Sequence, residues 1–343
     1  MSCKPSIYGM LPGELEAFCK EHGQPVFRAK QIVDWLYVKR VSSFEEMKNL
    51  PAPLRARLAE VFSFQCLEKL ETKGDSGETQ KLLFKLCDSE LIETVIIPAP
   101  KRGTNTVCVS CQVGCRFGCA FCASGQKGLI RNLTAGEIVS EVMEVAKLLG
   151  GRPDNVVFMG IGEPFDNYDE VLKAVRILNH PDGLGIGARR ITLSTCGVVS
   201  GIQRLADEGL QLELSVSLHA PNETVRSKLM PVSQSWPMEE LLEACRLYTA
   251  ATKRIVTFEY TLVKDVNDSE EQAHELVEHL KKFPCRVNLI PLSPVEEFAG
   301  ERPDTQTMKA FCRILEKAGI NTTLRDSKGS ALKAACGQLR AGR

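Results

Sequence analysis

Apolar positions along this chain change their period twice. Over residues 1 to about 70, FRAKQIVDWLYVKR and LPAPLRARLAEVF space their apolar residues as helices do, and Pro51 and Pro53 punctuate the start of the second. This predicts a small N-terminal helical domain, 1–70. Residues 80–98, QKLLFKLCDSELIETVIIP, alternate instead, with β-branched residues in the second half and the polar turn Asp88-Ser89-Glu90 between the halves. A linking β-hairpin is therefore predicted over 71–100.

From there to residue 325, β-branched apolar runs alternate with longer helical patterns. The runs VVFMG, RRITLST, LELSVSLH, RIVTFEYTLV, RVNLIPL and TTLR are separated by segments such as TAGEIVSEVMEVAKLL, MEELLEACRLYTA and SEEQAHELVEHLKKF. Such alternation builds a parallel sheet with crossover helices. About six units are too few for a closed eight-unit barrel. The predicted fold class is α/β, a partial (β/α)6 barrel over 101–325, with an open doubly wound sheet as the alternative. Residues 326–343 would form a C-terminal tail.

Ligands in such folds collect at the C-terminal ends of the strands. Those ends carry Gly160, Gly162 and Glu163, then Ser194, the run Ser217-Leu218-His219, and Asn288. Glycines let the backbone approach a ligand closely, and a carboxylate suits a cationic amine. Each polar side chain alone is an ordinary strand-end hydrogen bonder, but four strand ends converging on one face predict a polar cofactor pocket.

Composition narrows the picture. With 343 residues and 43% apolar, the chain can fill a sizeable core. No stretch approaches the roughly 18 apolar residues that a membrane span needs, and no basic segment followed by an apolar secretory one opens the chain, so a cytoplasmic protein with no membrane contact is expected. Net charge is zero, so any nucleic-acid contact must use local patches such as Arg28 with Lys30, Lys39 with Arg40, or Arg55 with Arg57.

Five of the fourteen cysteines crowd into CVSCQVGCRFGCAFC, residues 108–122. That clustering suits a metal site in a reducing compartment better than a disulfide framework. Cys115, Cys119 and Cys122 give C-x3-C-x2-C on one loop. Three thiolates so placed can ligate three irons of a 4Fe-4S cluster and leave the fourth iron open to a ligand. On spacing alone Cys111 competes, and a zinc site that adds Cys111 or Cys108 is the blander alternative. Zinc modules usually pair two short-spaced dyads across an intervening segment. The trio also follows the first strand, VCVSCQ, where a barrel places its working loop.

In order along the chain, GETQKLLFKL…IETVIIP, CVSCQVGCRFGCAFC, IRNLT, MGIGEP, RRITLSTCGV, SVSLHAPN, VNLIPL and AACGQL resemble the RlmN/Cfr family of radical S-adenosylmethionine (SAM) RNA adenine methyltransferases. The resemblance covers essentially the whole chain, helical N-terminal segment included. It implies one 4Fe-4S cluster on Cys115, Cys119 and Cys122, with SAM chelating the open iron through its amino and carboxylate groups. A SAM pocket of Gly162, Glu163, Ser194, Ser217, Leu218, His219 and Asn288 is implied as well. The activity implied is methylation of carbon 2 of an adenosine in the peptidyl-transferase region of 23S rRNA and of the adenosine beside the tRNA anticodon. Carbon-8 methylation, as in the resistance-conferring branch, and a radical SAM reaction on a non-RNA target are the alternatives. A zinc-dependent RNA-binding module, binding through its basic N-terminal helices, is the rival from a different class.

Roles also follow from the resemblance. An sp2 carbon of adenine is electrophilic and cannot attack the SAM methyl directly, so a radical route is needed. Cys336 takes a methyl from one SAM as nucleophile; a second SAM is cut reductively, and its deoxyadenosyl radical removes hydrogen from that methyl. The methylene radical adds to the ring, Glu93 is the base that removes the ring proton, and Cys108 releases product by a transient disulfide with Cys336. Partners implied are 23S rRNA, tRNA and an electron donor such as flavodoxin or ferredoxin, with the chain acting as a monomer. The chain departs from the family pattern at Cys111 and Cys196, in LIPLSP (Ser293), which lacks the usual aromatic-Asn pair, and before Cys336, where the usual acidic residue is absent.

Overall fold

The computed structural model describes residues 4–325, 329 and 332–340; Cys3 and the rest of the tail lie outside the described residues. Three helices, α1 (Pro12–Glu21), α2 (Phe27–Val33) and α3 (Ala52–Val61), form the N-terminal part. The α1 helix opens on a proline, whose missing N–H is not needed in a first turn, and the Glu14 carboxylate accepts the Leu11 N–H at 2.7 Å. Leu15, Phe18, Ile32, Leu36, Leu54 and Leu58 point into a shared core. The helix predicted through FRAKQIVDWLYVKR continues past α2, but over Asp34–Val38 its turns widen to the π form.

Ten strands follow in one sheet. The first three, β1 (Leu67–Lys73), β2 (Gln80–Leu86) and β3 (Leu91–Ala99), are antiparallel neighbours. The predicted hairpin is β2 and β3, joined at the polar turn, where Ser89 has a φ of 71°. It is not a free-standing linker: β1 adds a third strand, and β3 pairs antiparallel with β4 (Thr104–Cys108), placing Val95 opposite Cys108. The sequence LEKLETK hid β1 because only Leu67 of it is buried, as suits a charged edge strand.

Next to β4 lie β7 (Asn155–Phe158), β8 (Ile191–Thr195), β9 (Glu213–Ser217), β10 (Val256–Leu262), β11 (Cys285–Pro291) and β12 (Asn321–Leu324), all parallel. The crossovers carry α4 (Ala135–Leu148), α5 (Tyr168–Asn179), α6 (Val199–Ala206), the pair α7 (Glu223–Leu229) and α8 (Met238–Thr252), α9 (Glu270–Leu280) and α10 (Thr305–Lys317). Seven parallel strands and six helical crossovers make the partial (β/α)6 barrel expected. Its start signals are chemical. Thr134 and Glu137 cap α4 reciprocally, Ser269 and Gln272 do so for α9, and Asp304 accepts the Thr307 N–H at the head of α10. The sheet stays open, with β1 and β12 at its edges.

The helical part is docked on the barrel rather than tethered to it. Gly136 of α4 lies so close that a Cβ there would sit 2.7 Å from Ser6 Cβ, and Lys173 of α5 pairs with Glu14 at 2.8 Å. One hydrophobic core runs continuously from Ile7 to Ile320.

Candidate active site

The cysteine loop is pinned at its base by a ribbon that the sequence did not announce, β5 (Gln112–Gly114) against β6 (Leu129–Asn132). Gly114 is required there: its φ is +76° and a Cβ would lie 2.0 Å from Gly128 O. Cys115 N–H donates to Gly128 O at 3.1 Å, Ala120 N–H to Leu229 O at 2.9 Å, and Ala123 N–H to Gly337 O at 2.7 Å. The loop is thus held by its own ribbon, by α7 and by the C-terminal tail.

Cys115, Cys119 and Cys122 line one cavity together with Gly160, Gly162, Glu163, Ser194, Ser217, His219 and Cys336. Burial pushes the Cys115 thiol up to about 12, with the Phe117 backbone opposing, and lifts Cys119 well above the ordinary range. Cys115 and Cys119 are therefore held as neutral thiols, and loading metal on them means releasing protons. Among the described residues no three His, Cys, Asp or Glu side chains are grouped to hold a single ion. Three thiol side chains around one cavity are the donor type that an iron-sulfur cluster takes. Cys111 is turned away into the apolar core, 2% exposed, and does not line the cavity. Its burial sets it apart from the three cavity-lining cysteines.

Opposite the thiols lies a polar arc. Gly162 has φ +107° and packs on Gln112, whose Oε1 accepts the Glu163 N–H at 2.9 Å. The buried Glu163 carboxylate accepts Phe165 N–H at 3.0 Å on one oxygen and Cys196 N–H at 2.7 Å on the other, which leaves lone pairs for a ligand amine. Burial raises its pKa while those N–H groups oppose. His219 holds φ 54° and accepts the Thr261 N–H on Nδ1 at 2.8 Å. Burial, and then Arg226, push its pKa down to about 3, so the ring is neutral.

Two members of the predicted pocket lie elsewhere. Leu218 is fully buried outside the cavity, its N–H spent on Glu259 O at 3.0 Å. Asn288 lines an adjoining cavity and donates to Glu259 Oε1 at 2.9 Å. Sequence reading missed Glu259, although an acidic residue in the middle of VTFEYTL is a readable signal. Register sets Ser217, Glu259 and Asn288 side by side on three strands. Glu259 is 4% exposed, lines both cavities, and its Oε2 has no hydrogen-bond donor, only Arg325 at 3.7 Å.

Cys336 stands where the two cavities meet, facing the cysteine loop on one side and Cys108 on the other. It is exposed, but to enclosed space, so desolvation still lifts its pKa while Arg325 opposes. Cys108 is buried, and burial followed by the nearby Cys336 lifts its thiol far up. Glu93 lines a third cavity behind the tail. Its carboxylate meets Lys81 Nζ at 2.8 Å and accepts the Arg340 N–H at 2.9 Å.

Residues 109–277 match the profile of the radical SAM superfamily, and residues 6–64 match the ribosomal RNA large subunit methyltransferase N-terminal domain. A protein of Halalkalibacterium halodurans described as a probable dual-specificity RNA methyltransferase RlmN is 49% identical over 340 residues, spanning 98% of this chain and 93% of the relative. One of Dictyoglomus thermophilum with the same description is 49% identical over 331 residues, 96% of this chain and 94% of that one. The crystal structure of a radical SAM methyltransferase from Sphaerobacter thermophilus superposes with a TM-score of 0.94 at 46% identity, covering 98% of this chain and all of the other. By near full-length identity, by both profiles and by fold, this chain belongs to the RlmN family of the radical SAM superfamily.

Proposed function

We propose that this protein methylates carbon 2 of an adenosine in 23S rRNA and in tRNA, with Cys336 as the methyl-carrying side chain. The observation that carries this reading is the meeting of Cys336 with three cluster-type cysteines on one side and Cys108 on the other. Cys115, Cys119 and Cys122 would hold a 4Fe-4S cluster; Gly162, Glu163, Ser194, Ser217 and His219 would receive SAM, with Leu218 and Asn288 acting from behind through Glu259. When bound, the cluster and SAM supply one-electron reductive cleavage of a sulfonium and a hydrogen-abstracting radical.

The chain's own residues then divide the work. Cys336 offers a sulfur nucleophile, and Arg325 beside it favours the thiolate form. Cys108 stays a neutral thiol in its apolar niche until it resolves the linkage as a disulfide partner. Glu93 is the base that takes the ring proton, and it must first release the tail, because Lys81 and the Arg340 N–H occupy its carboxylate. We assign residues 1–70 to RNA contact, 71–100 to a linking strand unit, 101–325 to the barrel and 326–343 to the cysteine-bearing tail. Among the described residues no helix is long and apolar enough to cross a membrane. A cytoplasmic monomer served by flavodoxin or ferredoxin completes the proposal.

Mass spectrometry of rRNA and tRNA from a strain lacking this chain tests it. The expected result is loss of 2-methyladenosine from both RNAs and its return on complementation. Unchanged 2-methyladenosine, or loss of 8-methyladenosine instead, overturns it.

A further inference from the structure

Arg226, on α7, is completely buried. Its guanidinium donates to Ser233 Oγ at 2.7 Å, to Trp236 O at 3.3 Å and to Cys196 O at 2.9 Å, all neutral acceptors. Its Nε has no partner, and among the described residues no carboxylate reaches it as an ion pair. Burying a cation without an anion costs several kcal/mol. A side chain kept in that position implies a counter-charge that arrives later.

Its surroundings say which. The α7 helix is tied to the cysteine loop through Ala120 N–H and Leu229 O, at 2.9 Å. Leu229, Met230 and Val232 pack directly on Phe117, Cys119, Phe121 and Cys196. Burial draws the Arg226 pKa down, and Cys196, Glu223 and Cys119 pull it back. Arg226 does not line the cavity, so it stands behind the wall and touches nothing bound there. Thiolates around an iron-sulfur core make the assembly anionic, and an added electron makes it more so.

We propose that Arg226 is the internal counter-cation of the cluster loop, a permanent positive charge behind Cys119 that offsets the thiolate-held cluster and raises its reduction potential. This rests on the reading of Cys115, Cys119 and Cys122 as cluster ligands. Arg226 is a positioning residue in this role, acting through the field at the cluster and not by contact with substrate.

The test is a potentiometric titration of anaerobically reconstituted full-length protein, without RNA, using dithionite as the one-electron reductant and following the reduced cluster by EPR. Arg226→Gln is expected to shift the reduction equilibrium about tenfold toward the oxidised cluster, about 59 mV for one electron. Arg226→Lys should recover most of that shift, because it restores charge without the planar fork. A wild-type potential in Arg226→Gln overturns the proposal, as does a full loss in Arg226→Lys. Should Arg226→Gln not load a cluster, Glu223→Gln reads the same field from the opposite side. Removing that negative charge should favour the reduced cluster about threefold, and no change overturns the proposal. Wild-type protein that binds no iron would instead sink the cluster reading itself.

Discussion

Cys336 can be isolated chemically from everything around it. Replacing it with alanine leaves the cysteine loop, Glu163 and the polar arc in place, since only a cavity-facing thiol is removed. Cys336→Ala is therefore expected to abolish methyl transfer to RNA, by at least about a thousandfold, while reductive cleavage of SAM continues; 5′-deoxyadenosine and methylated RNA measured in one reaction check both halves. His219 gives a second test through pH. Folded, it stays neutral down to about 3. Unfolded, it takes a proton near 6.5. The stability it contributes is thus complete above the unfolded value and is lost as pH falls below it, by up to about 1.4 kcal/mol per pH unit. Between pH 7 and pH 5, wild-type apoprotein should lose about 2 kcal/mol more than His219→Asn in urea unfolding. Equal losses would mean the ring titrates normally.

The tail is the element whose placement decides whether Cys336 faces the cavity. It is stitched to the cysteine loop by Ala123 N–H on Gly337 O and by Ser124 Oγ on Leu339 O, both at 2.7 Å, and to β2 by Lys81 Nζ on Lys333 O at 3.0 Å. Gly337 has φ +80°, and a Cβ there would press on Phe121 O at 2.9 Å. Gly337→Ala should loosen the seat by about 1–2 kcal/mol. Maleimide labelling of Cys336 in the apoprotein should then quicken about tenfold, whereas an unchanged rate would place the restraint elsewhere. Elements with strong periodic signals were legible beforehand: the barrel strands, the β2–β3 hairpin and the N-terminal helices. Others were not. LEKLETK carries a strand with almost no apolar face, and QVG with LIRN pair only because the loop between them returns.

At the scale of the whole molecule, residues from β7 to β11 and Arg325 just past β12 share one cavity, which is how sites far apart in sequence become one site. That convergence was readable for Ser194, Ser217 and His219, because each ends an apolar run. Leu218 follows Ser217 and so takes the opposite face, whereas Asn288 stands in register with Glu259 and Ser217 and lines the adjoining cavity. Glu259 is flagged by its place inside the apolar run VTFEYTL, whereas Arg226 in the polar stretch NETVRSKL looks like an ordinary surface charge, and only packing shows it buried. The helical part, docked through the close contact at Gly136, shares one hydrophobic core with the barrel.

The central claim is that three cysteines on one loop hold an iron-sulfur cluster. Iron, sulfide and EPR analysis of anaerobically reconstituted wild type beside Cys115→Ala, Cys119→Ala and Cys122→Ala tests it most directly. Wild type should carry about four irons per chain and show the signal of a reduced cluster, and each single variant should lose it. A wild type without iron, or a variant that keeps the full complement, would contradict the claim.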